Sequence, residues 1–375
     1  MLRTTAANTT AMMLLCTLVP LMHLRGQPAW RVDPRPVTVI EDDGTPETQW
    51  RSLAGAVVLG SGDVLVADAV GEVRRFSRLG RYVERIMRSG NGPRELPRIM
   101  AFMPWHDGAV AVTDREYLTF AVTDPHKGSV PAGGGPPSGL LAALLQDESL
   151  VAVQMGFKVI APPTRVLRDS ASLVLRLPDG NSRRLGRVPY STALVLEVPA
   201  APGGLRYGVL EGAPQLLVAA RDSVVWFGST DSPGLTRVSI AGSAARSINV
   251  TGAGTPVAWT TARLDAWKRW AVARASSGPD SLLADARWSK QHLPANVPLF
   301  RSAIPDVGGG LWLERFPALP TDAPEFLVLS PSGTTIARVH LPRAARLLSV
   351  QRATVTVAER DENDVERVVV YAVQR

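Results

Sequence analysis

The sequence has almost no cysteine and, after its first 30 residues, no long apolar run. Cys16 is the only cysteine and lies in the N-terminal apolar stretch, so the rest of the chain has no disulfide framework. No later apolar run reaches the roughly 18–20 residues of a spanning helix. These absences exclude a disulfide-stapled domain and predict no membrane span after the N-terminus. With 45% hydrophobic residues, the fold must be held by its apolar core.

Lysine is also scarce, and the positive charge is dispersed. The chain has 41 Lys and Arg against 34 Asp and Glu, with a formal net charge of +7. Only four of these cations are lysines, and the arginines occur singly or in pairs along the whole chain. A nucleic-acid surface typically needs a clustered basic stripe, so we expect no nucleic-acid partner.

The N-terminus has the outline of a secretory signal peptide. Arg3 precedes an apolar run at 11–24, and a small residue suited to cleavage follows. Cys16 lies in the middle of this run, whereas a lipoprotein signal places its cysteine at the end. We predict a signal peptide at residues 1–26 and a mature chain at 27–375 that is secreted or periplasmic.

The remaining chain contains short strand patterns separated by turn-forming residues. Gly 32 and Pro 30 together make up about a sixth of the chain, which argues against a long helical bundle. Residues 54–87 read as four strands bounded by Gly or Asp, and the pattern returns five more times. Four-stranded units at such a period are typical of β-propeller blades. The last unit has only three strands, so we expect residues 37–40 to supply the fourth and close the ring.

The fold class that follows is all-β, a single six-bladed β-propeller. Seven blades are the nearest alternative, because 193–198 with 205–210 can be read as an extra hairpin; we place this pair between blades three and four. Helical spacing of apolar residues predicts a helical insertion at about 260–293, before the fifth blade. It either covers an edge or mouth of the ring or forms a lid over a binding site.

One stretch of the chain has a recognisable repeat motif. It combines a Gly-Asp turn, a buried strand ending in Asp, a second strand and a Leu-Gly-Arg turn, at Gly62-Asp63, Val64–Asp68, Val73–Phe76, Leu79–Arg81 and Glu95–Pro97. From about Val37 the chain resembles bacterial six-bladed β-propeller proteins of the NHL-repeat-like group. Members of that group differ in function, so the resemblance implies the fold and little chemistry.

The predicted innermost strands carry almost no metal-ligating residues. The mature chain has four histidines without ligand spacing, and no nucleophile elbow, P-loop or dinucleotide motif occurs. We therefore predict no catalytic residues, no metal and no cofactor. The expected function is that of a monomeric module that binds a protein, peptide or glycan. The alternative is a metal-dependent lactonase- or lyase-like propeller hydrolase, because enzymes of that kind resemble this fold.

Four arginines carry the one positive signal for a ligand site. Arg51, Arg98, Arg301 and Arg346 lie at or just before predicted innermost strands, whose ends surround one mouth of the ring. If they converge, they would bind an anionic ligand, because guanidinium groups hold carboxylates in bidentate fashion. The alternative is that they form salt bridges between blades and cap backbone groups.

Overall fold

The computed structural model describes most of the chain after its N-terminal segment. The described residues are 30–92, 95–105, 110–113, 119–122, 129–131, 140–155, 165–197, 205–242, 244–342, 345–361 and 365–375. The predicted signal peptide at 1–26 lies outside them.

Within these ranges the chain forms six sheets and two helices. The first sheet contains β2 (Leu53–Val58), β3 (Val64–Asp68), β4 (Glu72–Phe76), β5 (Tyr82–Ser89) and β6 (Glu95–Leu96), and β1 (Arg31–Ile40) belongs to the sixth. The second contains β7 (Ala101–Pro104), β8 (Val110–Thr113), β9 (Thr119–Val122) and β10 (Ser129–Pro131), and the third β11 (Leu140–Leu144), β12 (Leu150–Met155), β13 (Arg165–Arg176), β14 (Ser182–Glu197) and β15 (Leu205–Val209).

The remaining three sheets have four strands each. The fourth contains β16 (Leu216–Arg221), β17 (Val224–Ser229), β18 (Gly234–Ser239) and β19 (Ala245–Asn249). The fifth contains β20 (Phe300–Pro305), β21 (Leu311–Arg315), β22 (Glu325–Leu329) and β23 (Thr335–His340), and the sixth β24 (Arg346–Val350), β25 (Thr354–Arg360), β26 (Glu366–Gln374) and β1. The helices α1 (Thr261–Ala273) and α2 (Gly278–Arg287) lie between the fourth and fifth sheets.

The sheets are arranged around a ring. The inner strands are β2, β7, β11, β16, β20 and β24; each contacts the next, and β24 contacts β2. The ring is also closed by backbone pairing, because β1 pairs antiparallel with β26 and places Ile40 opposite Val368. The predicted closure by residues 37–40 is therefore confirmed. The protein is an all-β propeller with two helices in the part of the chain that the structure describes.

The sheets differ in extent. Five of them have at least four strands of five or more residues, whereas the strands of the second have only three or four residues. The structure thus shows five full-length blades, and the count of six stays a prediction. The hairpin that could have made a seventh blade forms part of β14 together with β15, and both belong to the third sheet. That sheet extends beyond its neighbours because β13 and β14 are unusually long.

A bulge recurs where the inner strands begin. The register shifts within the first few residues of four inner strands, between Leu53 and Gly55, Leu141 and Ala143, Phe300 and Ser302, and Leu347 and Ser349. A β-bulge bends a strand and turns its side chains, and bulges are common near functional sites. Four sheets therefore have a similar backbone bend at the same end of the ring.

The hydrophobic core lies between adjacent sheets. Trp312 and Phe326 of the fifth sheet pack against Val355 and Tyr371 of the sixth, and all four are buried. Each fully buried side chain of this size contributes about 1.5–3 kcal/mol relative to its exposed state. Since such clusters recur between sheets, the ring is held by its core, as the lack of disulfides requires.

The two helices pack on the third and fifth sheets. Thr260 caps α1 by accepting a hydrogen bond from Arg263 N, and Ser277 caps α2 in the same way. Trp267 and Trp288 stack with their ring centroids 4.7 Å apart, inside a cluster that includes Phe316. Neither described helix has the length and apolar character needed to cross a membrane. Whether they act as an insertion over a site stays a prediction.

Candidate functional site

The two ends of the ring can be distinguished by the direction of the inner strands. We call the end where these strands begin the front face, and the end where they finish the back end. Hydrogen bonds between inner strands link start to start and end to end. At the front, Arg346 Nη2 at the start of β24 donates to the carbonyl of Leu53 at the start of β2, at 2.8 Å. At the back, Arg221 Nη1 at the end of β16 donates to the carbonyl of Val350 at the end of β24, at 3.1 Å.

All four predicted arginines lie at the front face. Arg51 and Arg98 precede β2 and β7, and both are exposed. The backbone N–H of Arg51 donates to Asp68 Oδ2 at 3.0 Å, so the buried Asp68 carboxylate fixes the start of the first inner strand. Among the described residues, the side chains of Arg51 and Arg98 form no hydrogen bond or ion pair, which leaves both guanidinium groups open to a ligand.

The other two predicted arginines are paired with carboxylates. Arg301 lies 3.9 Å from Glu211 and 3.7 Å from Glu314. Arg346 lies 3.7 Å from Glu366, which also accepts a hydrogen bond from the backbone N–H of Leu53 at 2.9 Å. Glu314 and Glu366 belong to the same sheets as Arg301 and Arg346, and Arg346 also joins the sixth sheet to the first through the carbonyl of Leu53. A four-arginine ligand site stays a prediction.

The front face also carries a cleft of about 820 Å³, a size within the usual range for ligand sites. One wall is the part of the β13–β14 hairpin that extends past β12. The other is formed by segments that precede β16, follow β17 and follow the helices. The lining residues are Arg168, Asp169, Ser170, Arg187, Val188, Pro189, Thr192, Pro214, Asp231 and Pro294.

An irregularity in the hairpin shapes this cleft. Arg168 pairs with Thr192 and Ser170 pairs with Pro189, so the register shifts between them. The backbone N–H of Ser170 donates to Asp169 Oδ1 at 2.6 Å, and Arg187 Nε donates to Ser170 Oγ at 2.8 Å. One edge of the Arg187 guanidinium is thus held in place while its terminal nitrogens stay available.

The back end contains buried charge. Arg221 and Asp306 are only 8% and 6% exposed. Asp306 Oδ2 accepts from Trp312 Nε1 at 3.4 Å and lies 3.6 Å from Arg375 Nη2, whereas its Oδ1 is buried without a hydrogen-bond partner among the described residues. Burial raises the pKa of Asp306, and the positive charges of Arg375 and Arg221 only partly offset this.

Sequence reasoning missed both the cleft and the buried charges. Arg187 belongs to a predicted outer strand and Arg168 to none, whereas the predicted ligand residues lie at innermost strands. A signal existed for Asp306, because it directly follows an innermost strand. It also begins the turn toward Gly308, where its N–H donates to the carbonyl of Gly310 at 3.0 Å. Its burial beside Arg221 requires the ring to be closed and could not be seen in the sequence.

In the described parts of the chain, no group of three or more His, Cys, Asp or Glu side chains is arranged to hold a metal ion. Of the four histidines of the mature chain, His292 and His340 are described. His292 Nδ1 lies 2.7 Å from the carbonyl of Ala286, and His340 is exposed at the end of β23. His106 and His126 lie outside the described residues.

Comparison with known proteins supports the fold alone. The sequence matches no protein-family model and no curated protein. It is similar in structure to a protein of Bacteroides fragilis that is provisionally described as exported, with a TM-score of 0.51, 10% identity and coverage of 92% of this chain and 96% of that chain. The WD40 repeats of RRP9 match with a TM-score of 0.43, 10% identity and coverage of 93% and 99%. Virginiamycin B lyase from Staphylococcus aureus matches with a TM-score of 0.36, 11% identity and coverage of 86% and 94%.

Proposed function

We propose that this protein is an exported, monomeric, non-catalytic β-propeller that binds an acidic protein, peptide or glycan at its front face. The observation that carries this proposal is the position of Arg51 and Arg98. Both lie at the start of neighbouring inner strands, and both are exposed without a carboxylate partner among the described residues. Arg301 and Arg346 on the same face add positive charge that their glutamates partly balance.

We infer six blades, with the short second sheet as the second blade. Its inner strand β7 contacts both β2 and β11, so it occupies a full place in the ring of six inner strands. The NHL-like pattern at 62–97 falls on the first sheet and supports a repeat of that type. Together these features support a single propeller over residues 27–375, with the two helices as an insertion at about 260–293.

The proposal that the protein is exported rests on its N-terminal sequence. The apolar run at 11–24 after Arg3 has the outline of a cleaved signal. N-terminal sequencing of protein recovered from the medium or periplasm is expected to begin near Gln27. Recovery of the protein in the cytoplasm with Met1 still in place would overturn the proposal.

Binding can be tested with a defined acidic probe. We expect fluorescein-labelled deca-glutamate to bind the mature protein in anisotropy titrations, and binding to weaken as NaCl rises because exposed charges are screened. The double variant Arg51→Ala/Arg98→Ala should bind about 5–150-fold more weakly, since hydrogen bonds to charged groups contribute roughly 1–3 kcal/mol.

The matched control is Arg184→Ala/Arg352→Ala, which removes two exposed arginines, one near the start of β14 and one in the hairpin after β24 at the back end. It should bind as the unmodified protein does. Equal weakening in both double variants would show a general effect of net charge and would overturn the front-face site. Purification with one equivalent of tightly held Ca²⁺ or Zn²⁺ would instead favour the lactonase- or lyase-like alternative.

A further inference from the structure

The cleft between the third and fourth sheets has features that the four predicted arginines lack. It is concave, it is built on a hairpin whose register shift brings polar side chains to one wall, and it places two guanidinium groups along that wall. Among the described residues neither Arg168 nor Arg187 forms an ion pair. Arg301 and Arg346, in contrast, each lie within 4 Å of a glutamate.

The cleft has an acid on each wall. Asp169 lies with Arg168 and Arg187 on the β13–β14 wall, and Asp231 follows β17 on the opposite side. Asp231 accepts a hydrogen bond from Ser229 Oγ, and Asp169 accepts one from its neighbour's N–H, so each acid has a local partner other than the arginines. The guanidinium groups are therefore left for an external anion.

The ordering of Arg187 favours a carboxylate ligand. Because its Nε is fixed by Ser170 Oγ, the side chain loses less conformational entropy when a ligand binds. Its two terminal nitrogens still form the parallel pair of donors that a carboxylate accepts in bidentate fashion. Pro189, Pro214, Pro294 and Val188 supply rigid apolar surface beside this pair. Apolar walls with a few placed polar groups are typical of ligand sites. A short peptide segment can present a carboxylate to the arginines and its other atoms to these walls.

We propose that this cleft anchors the carboxylate of a short peptide segment on Arg168 and Arg187, with the rest of the segment lying against the proline-lined walls. This inference rests on the proposed binding function and names the place and chemistry of its anchor. Arg51 and Arg98 would then contact only longer acidic partners that extend across the front face.

The experiment uses two probe lengths on the mature protein. Labelled tri-glutamate is short enough for the cleft alone, and labelled tri-glutamine is its neutral match. Binding of tri-glutamate is expected to fall at least 10-fold in Arg168→Ala/Arg187→Ala, to fall less in Arg51→Ala/Arg98→Ala, and to be unchanged in Arg184→Ala/Arg352→Ala. Binding of deca-glutamate should be weakened both in Arg168→Ala/Arg187→Ala and in Arg51→Ala/Arg98→Ala. Arg187→Lys, which keeps the charge but loses the bidentate geometry, should recover only part of the binding.

The outcomes separate this inference from the proposed function. If deca-glutamate binds and depends on Arg51 and Arg98, but tri-glutamate binding does not depend on Arg168 and Arg187, the anchor is wrong and the function stands. If neither acidic probe binds better than tri-glutamine, both fail. Tri-galacturonate binding as tightly as tri-glutamate would overturn the peptide assignment. Circular dichroism of Arg168→Ala/Arg187→Ala should match that of the unmodified protein, because both side chains are exposed.

Discussion

The candidate site at the front face and the buried pair at the back end use arginine in opposite ways. At the front, Arg51 and Arg98 are exposed and have no carboxylate partner among the described residues. The charge buried at that end, on Asp68, is held by backbone N–H groups. At the back, Arg221 and Asp306 are buried, and Arg221 joins the inner strand of the fourth sheet to that of the sixth across the fifth. Exposed charge costs little to keep and is available to a partner, whereas buried charge must be satisfied within the protein.

A similar division exists within the front face itself. On the side of the fifth and sixth sheets, Glu211, Glu314 and Glu366 neutralise Arg301 and Arg346. On the side of the third and fourth sheets, Arg168 and Arg187 have no such neighbours among the described residues. The position of the glutamates, more than the position of the arginines, therefore decides where an anionic ligand can bind.

The largest effect that distinguishes the two ends is expected from Arg221→Met. Methionine replaces the aliphatic part of the arginine side chain and has no guanidinium group. It therefore removes the hydrogen bond to the Val350 carbonyl and one positive charge near Asp306. We expect a loss of about 2 kcal/mol in the free energy of unfolding, within the range for hydrogen bonds from charged groups. Urea denaturation would measure it as a lower midpoint.

The control for this substitution is Arg352→Met in the neighbouring hairpin, where the side chain is exposed. Its effect should stay within about 0.5 kcal/mol, as for most surface positions. If Arg221→Met were as stable as the unmodified protein, the free-energy cost of desolvating the guanidinium group would equal or exceed the free energy gained from its contacts. The back end would then not depend on buried charge, and the comparison with the front face would lose its basis.

Much of the fold could be predicted because it is encoded locally. Val64–Asp68 and Glu72–Phe76 are strands with the predicted bounds, since their apolar pattern and the Gly and Asp turns around them determine where they start and stop. The closing strand was also predicted, because an incomplete last unit needs a partner. Its observed extent, Arg31–Ile40, is longer than the predicted 37–40, since pairing with β26 continues past Pro36 through register shifts.

The candidate sites could be predicted less well from the sequence than the strands, because they depend on contacts between separate strands and loops. That Arg301 would approach Glu211 follows from the ring, and that Arg346 would pair with Glu366 follows from the order of β24, β25 and β26 in the sixth sheet. The cleft arises because β13 and β14 extend past the end of β12, which pairs only with Ala171–Arg176 of β13. Strand lengths set by tertiary pairing are not visible in a hydrophobic pattern of period two.

The smallest effect, and the most specific, concerns the pH dependence contributed by Asp306. Because burial raises its pKa in the folded state, the native protein binds a proton at this site at higher pH than the unfolded chain does. The ionised carboxylate therefore costs stability above the folded pKa, and this cost is relieved as pH falls toward the unfolded pKa. The difference in unfolding free energy, unmodified protein minus Asp306→Asn, should rise as pH falls from 7 to 4, by less than about 1.4 kcal/mol per pH unit.

Asp179→Asn provides a comparison of opposite sign. Hydrogen bonds from Asn181 lower the pKa of Asp179 in an exposed hairpin, so the ionised form is favoured in the folded protein. The corresponding difference for Asp179→Asn should therefore fall as pH is lowered from about 5 through 3.8, the ordinary pKa of the group, because the unfolded chain binds a proton before the folded protein does. Chemical denaturation of the three proteins at matched ionic strength would measure both trends. A falling difference for Asp306→Asn as well would mean that Arg375 and Arg221 outweigh burial, and that the back end stabilises negative charge as an exposed hairpin does.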